Sequence, residues 1–355
     1  MTVVHAVVPE GIDDPARPSG GNAYDRQICR GLAAAGWAVH EHPVPGTWPQ
    51  PGAASRAALD GTVQGIPDDA VVLLDGLIAS AAPEVLVPAA GRLVLVVLVH
   101  MPLGHRPPDG AAGEVRARER AVLAAAAAVV TTSAWTRRRL LELYALPPGR
   151  VHVAEPGAEP AALAPGSASG ATLLCVAAVT FGKGHDLLLE ALAAAADLPW
   201  HCTCVGSLDR DRPFAEDVRR RAREAGLSSR VRFPGPQSRG ALDRSYAAAD
   251  LMVLPSRAET YGMAITEALA RGVPVLAADV GGVGEALGHG AEGVRPGLLV
   301  PPDDPAALGA GLRTWLGDAS LRGRLRRAAR ERRGSLTGWP ATTSALAGVL
   351  AGAAR

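Results

Sequence analysis

Cysteine is scarce in this chain, a dominant charge sign is missing, and no apolar run is long enough to cross a bilayer. The apolar stretch "AVLAAAAAVV" at 121–130 falls far short of the ~20 residues that a membrane-spanning helix needs. The opening, "MTVVHAVVPEG", has no basic region followed by a long apolar run, so no signal peptide is expected. The four cysteines are Cys29, Cys175, Cys202 and Cys204, and none stands in zinc-type spacing. Cys202 and Cys204, two apart in an expected strand, share one face of it and read as small core residues. A reducing, cytoplasmic setting follows. The formal net charge is +1, which provides no broad basic field for nucleic acid or anionic lipid. Local arginine clusters at 136–144 and 217–226 read as exposed helix faces, with weak contact to a membrane surface as the alternative.

What remains is a globular composition, 48% hydrophobic and 20% charged, over 355 residues, a length that suggests two domains. Apolar runs at 2–8, 70–75, 92–100, 128–133 and 151–157 predict strands buried on both faces, hence a parallel sheet covered by helices. Helices are expected over 23–35, with Gly36 as its cap, and near 114–127 and 134–145. Residues 158–170, "AEPAALAPGSASG", have linker composition. A second series of strands follows at 171–179, 201–206, 231–235, 251–256, 274–279 and 297–302. Helices are expected between them near 184–196, 213–225, 239–248, 262–271 and 305–316. The fold class is therefore α/β: two Rossmann-like, doubly wound domains facing across a cleft. The boundaries are 1–158, a linker at 159–170, 171–335, and a terminal helix at 336–355.

With aromatics at only 4%, the stretch "AETYGMAITEALARG" (258–272) stands out for setting Tyr261, Gly262 and Met263 between two glutamates. It follows an expected strand, and a helix should begin near Gly262. The amides of Gly262, Met263 and Ala264 would then be donors at the positive end of a helix dipole, a seat for phosphate. Glu267, a turn further in, can accept hydrogen bonds from a ribose diol, and Glu259 can hold a second group. The same spacing also fits a plain helix with a first-turn glutamate and a surface glutamate.

The wider stretch 255–287 resembles the retaining GT-B glycosyltransferases of family 4 and their E-x7-E motif. The resemblance extends over nearly the whole chain: "PSGGNAYDRQICRGLAAAGWAVH" (18–40), "VHMP" (99–102), "GKGHDLLLEALA" (182–193) and "GLLVPPDDPAAL" (297–308) all take part. It implies an N-terminal acceptor-binding domain, a C-terminal nucleotide-sugar-binding domain, and a last helix packing back onto the first domain. It also implies a role for each matched residue. Lys183 meets the diphosphate charge, Glu259 contacts the donor sugar, and Glu267 holds the ribose. Tyr261, Gly262, Met263 and Ala264 line the donor. Gly20, Gly21 and Asn22 form an N-domain glycine loop over it, and His100 lies at the acceptor side. Gly281 and Gly282 are either a tight turn or neighbours of the sugar.

The resemblance implies hexosyl transfer from a nucleotide-diphosphate sugar to an acceptor hydroxyl, with retention, no cofactor and no metal. One departure stands out. Where many relatives carry a phosphate-clamping arginine five residues before the lysine, this chain has Ala178; Thr180, Arg257 and Arg106 are candidate substitutes. The proline-rich section 43–67 is a candidate acceptor wall. A nucleotide-sugar 2-epimerase and a nucleotide-sugar-binding protein without turnover are the competing readings of the same architecture.

Overall fold

The computed structural model describes residues 2–107 and 110–354. They divide into two compact units, one of Met1–Asp13, Gly20–Gly157 and Trp339–Arg355, the other of Asp14–Ser19 and Ala158–Gly338.

The first unit runs β1 (Val3–Pro9), α1 (Gly20–Ala34), β2 (Ala38–Val44), α2 (Ala53–Gln64), β3 (Val71–Asp75), α3 (Gly76–Ala81), α4 (Pro83–Ala89), β4 (Val94–Val99), α5 (Ala112–Ala125), β5 (Ala128–Thr131), α6 (Ala134–Tyr144) and β6 (Val151–Val153). The strands form one parallel sheet in the order β2-β1-β3-β4-β5-β6. β3 and β5 are buried along their whole length, as a parallel strand covered on both faces must be. Gly36, at φ +88°, turns the chain out of α1 while the Trp37 amide donates to the Leu32 carbonyl.

Strand β2, "AVHEHPV", is absent from the sequence expectations. It lies at the sheet edge, carries His40, Glu41 and His42 in succession and is half exposed, so it shows no apolar run. The candidate wall at 43–67 resolves into the end of β2, a loop with a cis Trp48–Pro49 bond, and α2. α3 starts directly from β3 because Asp75 caps it, its Oδ1 accepting from the amides of Leu77 (2.7 Å) and Ile78 (3.2 Å).

The second unit runs β7 (Thr172–Val176), α7 (His185–Ala193), β8 (His201–Val205), α8 (Arg212–Glu224), β9 (Val231–Gly235), α9 (Arg239–Ala248), β10 (Leu251–Leu254), α10 (Met263–Ala270), β11 (Val275–Ala278), α11 (Val283–Leu287), β12 (Gly297–Val300), α12 (Pro305–Gly317) and α13 (Ala319–Arg333). Its parallel sheet has the order β12-β11-β10-β7-β8-β9. All six strands lie where the apolar runs put them. α13 was not anticipated because nearly half of its residues are arginine. Its buried stripe is Leu325, Ala328 and Ala329, and Arg322 is buried beside it, donating to the carbonyls of Trp315, Leu316 and Ala168.

The last helix, α14 (Trp339–Ala353), belongs to the first unit, where it packs on α1. A side chain at Gly31 would place its Cβ 2.2 Å from Thr343 Oγ1, so glycine there sets how closely the helices approach. Trp339 stands edge-on to Tyr24, and Thr342 donates to the Glu155 carbonyl at 2.7 Å.

The arginine clusters are largely engaged within the fold. On α8, Arg220 and Arg221 pair with Asp217, and Arg220 also with Glu224. On α6, Arg137 donates to the carbonyls of Val151 and Pro148. No helix among the described residues is long and apolar enough to cross a membrane.

Residues 159–170 are irregular but not loose, and they belong to the second unit. Ala164 is buried and its amide donates to the Arg271 carbonyl. Asp250, fully buried at the start of β10, accepts from the amide and hydroxyl of Ser167, from the Thr172 amide (3.0 Å) and from Arg326 (2.8 Å). Removing that carboxylate leaves the Arg326 charge and two amides without their acceptor. Asp250→Ala is therefore expected to destabilise the protein by about 3–5 kcal/mol, read as a lowered urea or thermal midpoint, with Asp250→Asn losing less.

Candidate functional site

In open parallel sheets, loops on either side of the point where strand order reverses diverge and leave a crevice at the carboxyl ends of the strands. In the second unit that point lies between β7 and β10. The loop after β7 contains a tight turn at Phe181–Lys183, and Gly184 follows at φ +67°. A Cβ at Gly184 would stand 2.1 Å from the Pro255 carbonyl oxygen, so only glycine lets this turn press against the end of β10. The Arg257 amide donates to the Gly182 carbonyl at 2.9 Å and fastens the two loops. Lys183 Nζ thereby reaches Glu259 Oε1 at 2.6 Å, and Ser256 Oγ donates to the same oxygen at 2.8 Å. The lysine side chain keeps 32% of its surface exposed and the glutamate 11%, so a ligand can reach the pair from the lysine side.

Gly262, at φ +102°, opens α10, whose first amides, those of Met263 and Ala264, have no acceptor within the helix. Tyr261, expected to line a donor, is buried as a member of the hydrophobic cluster around β10 and α10. Glu267 lies further along α10 and accepts from the Tyr246 hydroxyl at 2.7 Å. Burial raises the Glu267 carboxyl above its ordinary value against the opposing pull of Tyr246 and Arg271. The Gly281–Gly282 turn after β11 packs on the backbone of Glu259 and Thr260, with the Gly282 amide donating to the Glu259 carbonyl at 3.2 Å. It is thus a tight turn that also braces Glu259.

Arg257 cannot stand in for the arginine missing at Ala178. Its guanidinium grips Asp186 through two bonds (2.8 and 2.9 Å), donates to Asp303 at 2.6 Å and lies over the Phe181 ring. A second arginine lies on an adjoining loop. The Val179 amide donates to the Ser207 carbonyl at 2.9 Å, so the loop after β8 runs alongside Ala178, and Arg210 is on that loop. Arg210 and Arg17 are both exposed, and neither has an ion-pair partner among the described residues.

The first unit repeats the arrangement. Its strand order reverses between β1 and β3. Gly20, Gly21 and Asn22, expected as a glycine loop, form instead the first turn of α1, because the helix begins at Gly20. Gly21 lies against the His100 ring, where a Cβ would come within 3.3 Å. His100, just past β4, holds Asp25 Oδ1 at 2.6 Å through Nε2, with Asp75 Oδ2 at 3.8 Å. Both aspartates are buried, and Asp25 Oδ2 has no hydrogen-bond partner. These three side chains are the one cluster among the described residues with the spacing to hold a cation. Burial, reinforced by the charge of Asp25, pushes the Asp75 carboxyl up to about 7. Burial opposes the His100 imidazolium, but the charge and hydrogen bond of Asp25 and the charge of Asp75 outweigh it, and the His100 pKa is raised. Sequence reasoning passed over Asp25, Asp75, Ser256 and Tyr246. Asp75 carried a signal, a carboxylate closing an otherwise apolar strand.

Residues 167–332 match the family described as Glycosyl transferases group 1. The second unit carries a group 1 glycosyl transferase domain. Relatives of the chain include proteins named D-inositol 3-phosphate glycosyltransferase. That of Jonesia denitrificans is 33% identical over 244 residues, covering 62% of this chain and 57% of the relative. That of Thermobispora bispora is 35% identical over 238 residues, covering 60% and 53%. The chain thus spans little more than half the length of these relatives. Among solved structures, sucrose-phosphate synthase from Thermosynechococcus elongatus superposes with a TM-score of 0.80 at 22% identity, covering 99% of both chains. The Anabaena protein HepE, in complex with UDP-glucose, gives 0.77 at 18%, covering 99% of this chain and 100% of that one. These likenesses identify the fold as GT-B.

Within the transferase domain, the reach of Lys183 depends on Gly184. Gly184→Ala is expected to force the Phe181–Lys183 turn off Pro255. A crystal structure of the variant should show Nζ withdrawn from Glu259, accompanied by a lower melting temperature.

Proposed function

We propose that the protein is a retaining glycosyltransferase that moves a sugar from a nucleoside-diphosphate donor to an acceptor hydroxyl, without a metal. The observation that carries this reading is the convergence at the β7/β10 reversal of one lysine, one glutamate and the open first turn of α10. A diphosphate seated on the amides of Met263 and Ala264 lies where a second anion can compete with Glu259 for Lys183. In this reading Lys183 then meets the charge growing on the departing phosphate, and Glu259, released, accepts from the sugar hydroxyls. Glu267, held by Tyr246, takes the ribose diol. No side chain in the transferase domain is placed as a covalent nucleophile, so the acceptor attacks the face the phosphate leaves, and the phosphate takes the hydroxyl proton. His100, in the first unit, serves the acceptor side.

HepE is in complex with UDP-glucose, and the relatives' names mention D-inositol 3-phosphate, which makes these the first donor and acceptor to assay. In this proposal the exposed Arg210, on the loop that runs alongside Ala178, supplies the cation absent there.

Lys183→Ala is expected to cut turnover by at least ~100-fold, and calorimetry should show weakened UDP binding. Undiminished turnover overturns the assignment. Arg210→Ala should weaken UDP binding while leaving the melting temperature of the free protein in place. Dialysis against EDTA should leave the rate unchanged. Donor incubated without acceptor should return unaltered apart from slow hydrolysis, whereas inversion at sugar C2 would identify an epimerase.

A further inference from the structure

The sheet of the first unit brings three ionisable side chains together from three elements. Asp25 comes from α1, Asp75 from the end of β3, and His100 from just past β4. We propose that Asp25 is a positioning residue that captures the His100 ring through Nε2 and holds it as an imidazolium, so that His100 meets its ligand as a hydrogen-bond donor through Nδ1 and not as a base.

The geometry supports this in four ways. First, the Nε2–Oδ1 separation of 2.6 Å is that of a charge-assisted bond, and no other polar side chain is bonded to the ring among the described residues. Second, the carboxylate has little alternative to this bond. Asp25 is 4% exposed and its second oxygen, Oδ2, has no partner. Third, Asp75 cannot replace Asp25, because its Oδ1 is committed to the amides that start α3 and its Oδ2 stands 3.8 Å from Nε2. Fourth, among the described residues the groups recorded against the ring include no cation: they are Tyr24 (edge-on, centroids 5.2 Å apart), Gly21, Asp25 and Asp75. Tyr24 itself donates to the Ala154 carbonyl at 2.8 Å and is not free to bond the histidine. A ring whose Nε2–H is given to a carboxylate leaves only Nδ1 for a ligand. That atom is a donor when the ring is charged and an acceptor when it is neutral.

The inference rests on the proposed transfer only for what His100 meets, and its first test needs no turnover. In the intact protein, NMR titration of the His100 ring, assigned by its loss in His100→Gln, should give a pKa above the ordinary histidine value. Asp25→Asn should lower it by ~1–3 units, the effect of removing one adjacent opposite charge. Asp75→Asn, which can still cap α3, should lower it less, and this variant keeps the test open if Asp25→Asn does not fold. A wild-type pKa at or below the free value, or a pKa unmoved in both variants, overturns the inference. So does the loss of the imidazolium signal on addition of one equivalent of Zn²⁺ or Mg²⁺, which would make the cluster a cation site. The pH profile of kcat/KM then separates donor from base. A donor loses activity as pH rises through the His100 pKa, and Asp25→Asn moves that alkaline limb to lower pH. An acid limb governed by His100 would instead indicate a base and overturn the proposal. If no sugar transfer is found at all, the titration still decides the role of Asp25.

Discussion

The pairing of Lys183 with Glu259 is the constraint around which the second unit's crevice is built. An ammonium group left alone in a partly dry crevice would be costly, and so would a carboxylate. Set 2.6 Å apart, each makes the other tolerable, and both are kept where neither is needed for folding the core. Almost every local peculiarity nearby serves that contact: the left-handed glycine at 184, the bond from Arg257 to Gly182, the hydroxyl of Ser256, and the glycine pair that braces residue 259 from behind. An ion pair with one exposed partner is also one that an arriving anion can open.

The two units solve the same topological problem with different side chains. Each sheet reverses its strand order beside the first strand of its series, and each places ionisable groups at that reversal. In the second unit these are a lysine–glutamate pair beside the open amides of a helix start. In the first they are two buried aspartates around one histidine. A parallel sheet positions such groups cheaply, because strands that are apolar throughout can end in a single polar residue at the only place where the backbone opens to solvent.

Where sequence reading succeeded and failed follows from this. The second unit was legible because each of its strands is a short apolar run bounded by glycine, proline or charge, and because the spacing from Glu259 to Glu267 falls on one helix start. β2 was lost because an edge strand needs no apolar run, and its histidines and glutamate concealed it. α13 was lost because a helix that buries one narrow stripe can be arginine almost everywhere else. Side-chain partnerships were harder still. Nothing local announces that Tyr246 bonds Glu267, or that Arg257 is already spent on Asp186, since those partners lie 21 and 71 residues apart in the chain. Asp25 and Asp75 became visible only when the sheet brought positions 25, 75 and 100 together.

The seating of α14 against α1 has a consequence for the order in which the molecule can be completed. The groove at Gly31 and the face of Tyr24 are filled by Thr343 and Trp339, which leave the ribosome only after the entire second unit has been made. The unit that begins first is therefore the one that finishes last. Until the final helix arrives, a nascent chain carries a folded C-terminal half beside an N-terminal half with one flank uncovered, and that interval is when the protein is most open to aggregation or to chaperone capture.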